Sequence, residues 1–158
     1  MLQRATLSSI VSEIESNRSN LREVSAHHAM TLHALESLLQ KGRGNKFISL
    51  IDLFKMLHAR SAFGINAPLD IAWQIAQSDQ GLSLLSYDTR YTLAEVYQVQ
   101  ATFYEAEQRY GNSLLTIRQS PTDNYFVETL DLANQANVVV SAETQLDLLY
   151  TEALRKVR

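Results

Sequence analysis

From Leu2 to Lys41 apolar residues recur at helical spacing. Leu7, Ile14, Leu21, His28 and Leu35 form one seven-residue row, and Ile10, Asn17, Val24, Thr31 and Leu38 form a companion row offset by three. A stripe of this kind, uninterrupted by proline or glycine, predicts one helix over about 2–41. Forty residues at the helical rise span roughly 60 Å. The glycines of "GRGN", residues 42–45, predict its end. A second long pattern, Leu93, Val96, Gln100, Phe103, Tyr110, Leu114 and Ile117, predicts a helix over about 86–119, with Ser86 as its cap and Asp88 in its first turn. Gly111 falls inside the pattern at a propensity cost of about 1 kcal/mol, but the stripe continues in phase beyond it.

"SPTD", residues 120–123, reads as the start of a third long helix over about 121–156, with Ser120 capping and Pro121 in the first helical position. The run Val138–Val139–Val140 has helix-like flanks, so it is read as a packed patch rather than a strand. Between the first two long helices lie two short segments, about 49–60 and 67–79. The first opens on Ser49 with Asp52 three residues later, a variant of the capping box. The second opens on Asn66 and Pro68, and Gly81 is its natural stop. The expected fold is therefore all-α: an antiparallel bundle of three long helices with a short helical pair, forming one domain over 1–158. On this reading the first long helix goes up, the pair caps the upper end, the second comes down and the third goes up again.

Composition narrows the chemistry. In 158 residues, 46% hydrophobic and 20% charged, there is enough apolar material for a core. With no cysteine, thiolate catalysis, disulfides and cysteine-ligated metals are excluded. A formal charge of −3 without any dense basic run gives no footprint for nucleic acid. No stretch reaches the roughly 20 apolar residues of a membrane span, and the N-terminus lacks the apolar region of a signal peptide. Met1 is open to two readings, a native start or one added to a truncated chain.

Three histidines fall within "SAHHAMTLH", residues 25–33. Two ligands on one helix face need a spacing of three or four. His27 and His28 are adjacent and His33 follows five or six residues later, so no metal is expected. No serine sits in a glycine-framed elbow and no glycine-rich phosphate loop is present. Glu13/Glu15 and Glu105/Glu107 read as solvated helix faces. No catalytic constellation emerges, and the chain is read as a non-enzyme without cofactor. Trp73 is expected to anchor the short pair to the long helices. Together with Tyr87 and Tyr91 it also marks the candidate partner or ligand surface.

His28 carries one further expectation. If the first two long helices run antiparallel with residue 41 near residue 87, their paired numbers sum to about 128. His28 is then level with Gln100, and across the turn at 119–122 Gln100 lies near Ser141. His28, Gln100 and Ser141 are thus expected to form a polar layer that fixes helix register.

Two stretches also carry a resemblance. Glu13-Ile14, Asn17-Arg18, Leu21 and His28 are similar to one recurrent bacterial pattern. Pro68, Trp73, Gly81, Tyr87, Leu93, Tyr97 and Gln100 resemble its second hallmark. The pattern belongs to an uncharacterised bacterial family of single-pass membrane-anchored proteins with a helical soluble domain. The resemblance implies a tethered soluble part on the periplasmic side of the cytoplasmic membrane, with a cytoplasmic location as the alternative. The membrane helix is absent from this sequence. Two functions follow as expectations: a helical interaction or sensory module, with a protein partner or self-association, or a small-molecule-binding protein or enzyme with a site between helices near Trp73, Tyr87 and Tyr91.

Overall fold

The computed structural model describes residues 2–58, 67–79, 81–117, 119–120 and 122–157. It contains five α-helices: α1 (Leu2–Gly42), α2 (Leu50–His58), α3 (Ile71–Ser78), α4 (Tyr87–Ile117) and α5 (Phe126–Val157). One 3-10 turn, Gly81–Leu84, precedes α4. The described residues contain no strand. The all-helical class and the three long helices are as the periodicity predicts. Residues 59–60, the connection at 61–66 with Asn66, and Pro121 lie outside the described residues.

Local signals account for most boundaries. Asp52 N–H donates to Ser49 Oγ at 3.1 Å, which caps α2, and the Ser49 hydroxyl in turn donates to Asp52 Oδ2 at 2.6 Å. Thr89 N–H donates to Ser86 Oγ at 3.2 Å, capping α4. α4 runs unbroken through Gly111, and α5 runs through the valine triplet. The start of α5 is a correction. It begins at Phe126, five residues beyond the expected position, because Asn124 supplies the cap instead of Ser120. Asn124 Oδ1 accepts from Phe126 N–H at 3.1 Å and from Ile48 N–H at 3.2 Å, while its Nδ2 donates to the Lys46 carbonyl at 2.8 Å.

The chain divides into two compact units, each built on part of α1, α4 and α5. The first draws on 1–22, 66–104 and 142–158, and so includes α3. The second draws on 23–65 and 105–141, and so includes α2. Ile10, Ile14, Leu93, Val96, Leu146 and Tyr150 are fully buried in the first. Leu35, Leu53, Tyr110, Leu132 and Val139 are fully buried in the second.

Helix directions in the first unit follow from its cross-links. Glu13 meets Tyr97 and Asn17 meets Gln100, so residue numbers rise together and α1 runs parallel to α4. Thr92 meets Lys156 and Gln100 meets Tyr150, so α4 and α5 are antiparallel. Asn17 meets Leu69, Glu13 meets Ala72 and Thr6 abuts Gly81, so the segment carrying α3 runs antiparallel to α1. The expected path, with the second long helix coming down, is therefore corrected. The two short helices fall in different compact units, α2 in the second and α3 in the first. α3 lies along α1 as the descending element and lets α4 start in the direction of α1.

Candidate functional site

The first unit holds a connected polar cluster under an open groove. Asn17, on the core-facing row of α1, grips the backbone of Leu69 from both sides. Its Nδ2 donates to the Leu69 carbonyl at 2.7 Å, and its Oδ1 accepts from Leu69 N–H at 2.8 Å. Gln100 Nε2 donates to the same carbonyl at 2.9 Å. Gln100 Oε1 accepts from Asn17 Nδ2 at 3.1 Å and from Tyr150 Oη at 2.6 Å. One turn before Asn17, Glu13 Oε2 accepts from Ala72 N–H at 2.8 Å and Glu13 Oε1 accepts from Tyr97 Oη at 2.7 Å.

The chemistry of this cluster is positional. Residues 67–70 form no regular element, so their backbone groups need partners from elsewhere. Asn17 and Gln100 supply them for Leu69. Asp70, the N-cap of α3, makes no side-chain cap hydrogen bond. Glu13 caps α3 instead, accepting one of its first amides and placing a carboxylate at the positive end of the helix. Burial and the bond to Glu13 push the Tyr97 hydroxyl well above the ordinary phenol range, and burial raises Tyr150 as well. Both therefore stay protonated donors. Trp73 stacks on Tyr97 with ring centroids 4.8 Å apart and planes 10° from parallel.

An open groove of about 740 Å³ runs above this clamp between α1 and α3. Ser9, Ser12 and Ser16 line its α1 wall; Leu69, Ile71 and Ile75 line the other. These three apolar side chains are 45%, 61% and 54% exposed. Asp70 and Asp79 flank the α3 wall, and residues 67–81 carry no lysine or arginine.

The expected polar layer is redistributed. Gln100 is buried, but its partners are Asn17, Tyr150 and the Leu69 carbonyl. His28 is buried and faces Glu107, with Nε2 3.8 Å from Oε1. Ser141 is exposed. Such a layer requires α1 and α4 to be antiparallel; in the parallel arrangement Gln100 meets Asn17. Two glutamates read as solvated are corrected too, since Glu13 and Glu107 are both buried. Glu13 lies one turn after Ile10 on the α3 side of the stripe, and Glu107 lies between Phe103 and Tyr110 on the core side of α4. Trp73 is removed from the candidate surface: it is 9% exposed and packs on Tyr97. Tyr87 and Tyr91 are 71% and 62% exposed and lie side by side, with centroids 6.5 Å apart. His27 and His33 are exposed, and the described residues contain no group of three side chains placed to hold a metal ion.

No protein-family model, curated protein or solved structure matches the chain.

Proposed function

We propose that this chain is a helical interaction module that receives an amphipathic helix of a partner protein in the groove between α1 and α3. One observation carries the reading: Leu69, Ile71 and Ile75 are held outward beside a row of serines by a clamp of seven hydrogen bonds in the cluster beneath them. Small residues on a helix allow a second helix to approach closely, and isoleucines beside them supply the apolar contact area. With Asp70 and Asp79 on its rim, the groove favours a guest whose apolar face is flanked by lysine or arginine. Because the clamp fixes the wall in advance, binding orders little of the receiving protein.

The resemblance adds a setting to this reading: tethering to a bacterial membrane by a helix encoded before Met1, with the groove on the periplasmic side. The described residues contain no helix long and apolar enough to cross a membrane. The upstream gene sequence tests the tether separately.

The groove is tested by fluorescence anisotropy with a labelled 16-residue amphipathic peptide, leucine and alanine on one face and lysines flanking it. Saturable binding is expected with Kd on the order of 10 μM. The double variant Ile71→Asp/Ile75→Asp, at exposed positions, should keep its helicity and weaken binding at least about tenfold. A scrambled peptide of the same composition that binds equally well, or a double variant that binds like the parent, refutes the groove.

A further inference from the structure

Among the described residues that line the groove between α1 and α3, Glu13 alone carries a charge. It is 8% exposed. Its two carboxylate oxygens accept one hydrogen bond each, from Ala72 N–H and from the Tyr97 hydroxyl. A carboxylate has about four acceptor positions, so about half of this capacity is unused. No lysine, arginine or histidine among the described residues pairs with Glu13. Along α1 the neighbouring cations are Arg4, nine residues earlier and exposed, and Arg18, five residues later and held by Asp147. On α5, Arg155 lines a separate hollow with Glu15 and Arg18. The Tyr97 hydroxyl senses the same field. Burial raises it most, and the charged groups that act on it, Glu13 and Asp70, are both anionic. The amide end of α3 offsets only part of a full charge. A carboxylate nine-tenths buried without a counter-ion is costly to hold, and this one lines an open groove.

We propose that Glu13 is the specificity determinant of the groove and receives the ammonium of one lysine set within the apolar face of the guest helix. This rests on the groove reading and adds the residue that the guest must carry. Glu13 is level with Ala72, which lies three residues after Leu69 and three before Ile75. The carboxylate therefore sits between two apolar contacts. A guest helix meets them with leucines three or four positions before and after its lysine. Ser9 and Ser16, four residues before Glu13 and three after it, share its helix face and also line the groove. An ammonium has three donors, and Glu13 with the two hydroxyls offers three acceptors. The methylene stem of the lysine continues the apolar contact on the way in.

The test uses three 16-residue amphipathic peptides that differ at one position in the middle of the apolar face: lysine, norleucine or Nε-acetyl-lysine. Binding is followed by fluorescence anisotropy with the whole chain. The lysine peptide should bind at least about tenfold tighter than the other two. That preference should persist in about 0.5 M salt, because a buried pair is screened far less than the charges of the rim. Glu13→Gln keeps an acceptor for Ala72 N–H and places an amide at Tyr97, and it should bring the three affinities to within about threefold of one another. The three peptides on the parent chain decide the question even where Glu13→Gln loses helicity. Equal affinities for lysine and norleucine on the parent overturn the role of Glu13 and leave the groove standing, whereas no binding of any of the three removes the groove as well. A lysine preference that survives in helical Glu13→Gln, or saturation by n-butylamine at the same concentration as the lysine peptide, also overturns the proposal, the latter by assigning the site to free amines.

Discussion

Replacing Asn17 tests whether the segment before α3 is held by its side-chain clamp. Asn17→Ala deletes three hydrogen bonds, two to Leu69 and one to Gln100. The damage is uneven. The Leu69 carbonyl keeps Gln100 Nε2, and Gln100 Oε1 keeps Tyr150 Oη. Leu69 N–H loses its partner, and because Leu69 is half-exposed water replaces part of the loss. At about 1 kcal/mol net per bond the cost is about 2–3 kcal/mol, or a fall in Tm of roughly 4–12 °C for a chain of this size. Asn17→Asp is nearly isosteric and should be worse. It still accepts from Leu69 N–H, but it aims a carboxylate oxygen at two acceptors where Nδ2 now lies 2.7 and 3.1 Å away. Its expected cost is about 3–5 kcal/mol, that of a buried charge without a partner. Urea unfolding followed by circular dichroism and by the fluorescence of Trp73, the single tryptophan, measures both. Trp73 belongs to α3, so its transition should move to lower urea in either variant. An aspartate variant as stable as the parent to within about 0.5 kcal/mol, or less damaged than the alanine variant, would refute the clamp.

Burial holds the hydroxyls of Tyr97, Tyr110 and Tyr150 above the phenol range. A raised folded pKa gives stability that is complete below about pH 10 and falls as pH rises further, by up to about 1.4 kcal/mol per pH unit for each group. Urea midpoints and tyrosinate absorbance should show this loss, and all seven tyrosines ionising near pH 10 with the fold intact would contradict it. Gly42→Ala puts a Cβ 2.9 Å from Ile48 Cγ1 and 3.0 Å from the Phe47 carbonyl oxygen, so it should cost about 1–3 kcal/mol, while Gly44→Ala meets open space and should not destabilise. Equal thermal midpoints for these two variants would remove the close approach at Gly42. Asp147 bridges Arg18 and Arg22, and the hydrogen bond from Arg22 holds its carboxyl below the usual range. The contribution is present above about pH 4 and lost as pH falls further. Asp147→Asn should therefore cost about 1 kcal/mol or less, shrinking with added salt, and a salt-independent loss of several kcal/mol would count against this.

The elements were legible in the sequence because each long helix writes a seven-residue pattern and because Ser49 and Ser86 cap with their own side chains. The path between them was not. A short connection, residues 118–125, makes α4 and α5 antiparallel neighbours, but nothing equally short joins α1 to α4. The direction of α4 is set by α3, whose position depends on Glu13, Asn17 and Gln100 reaching backbone groups 31 to 59 residues away. The signal was present as polar residues on core rows. Asn17 and Gln100 differ by 83 in number, and Glu13 and Tyr97 by 84, and such a constant difference marks parallel helices. Counting from the expected loop placed His28 opposite Gln100 instead. The start of α5 was hidden for a similar reason: Pro121 resembles a first helical residue, whereas Asn124 gains bonds to Lys46 and Ile48 that only the folded chain provides.

A methyl-labelled NMR titration with the lysine-flanked amphipathic peptide tests the groove most directly. The account predicts that the methyl signals of Leu69, Ile71 and Ile75 shift together and saturate with one Kd, while those of buried Leu132 and of Val127 and Val138 on α5 stay in place. Shifts that favour the α5 valines, or none at the three groove residues with the peptide at millimolar concentration, would contradict it.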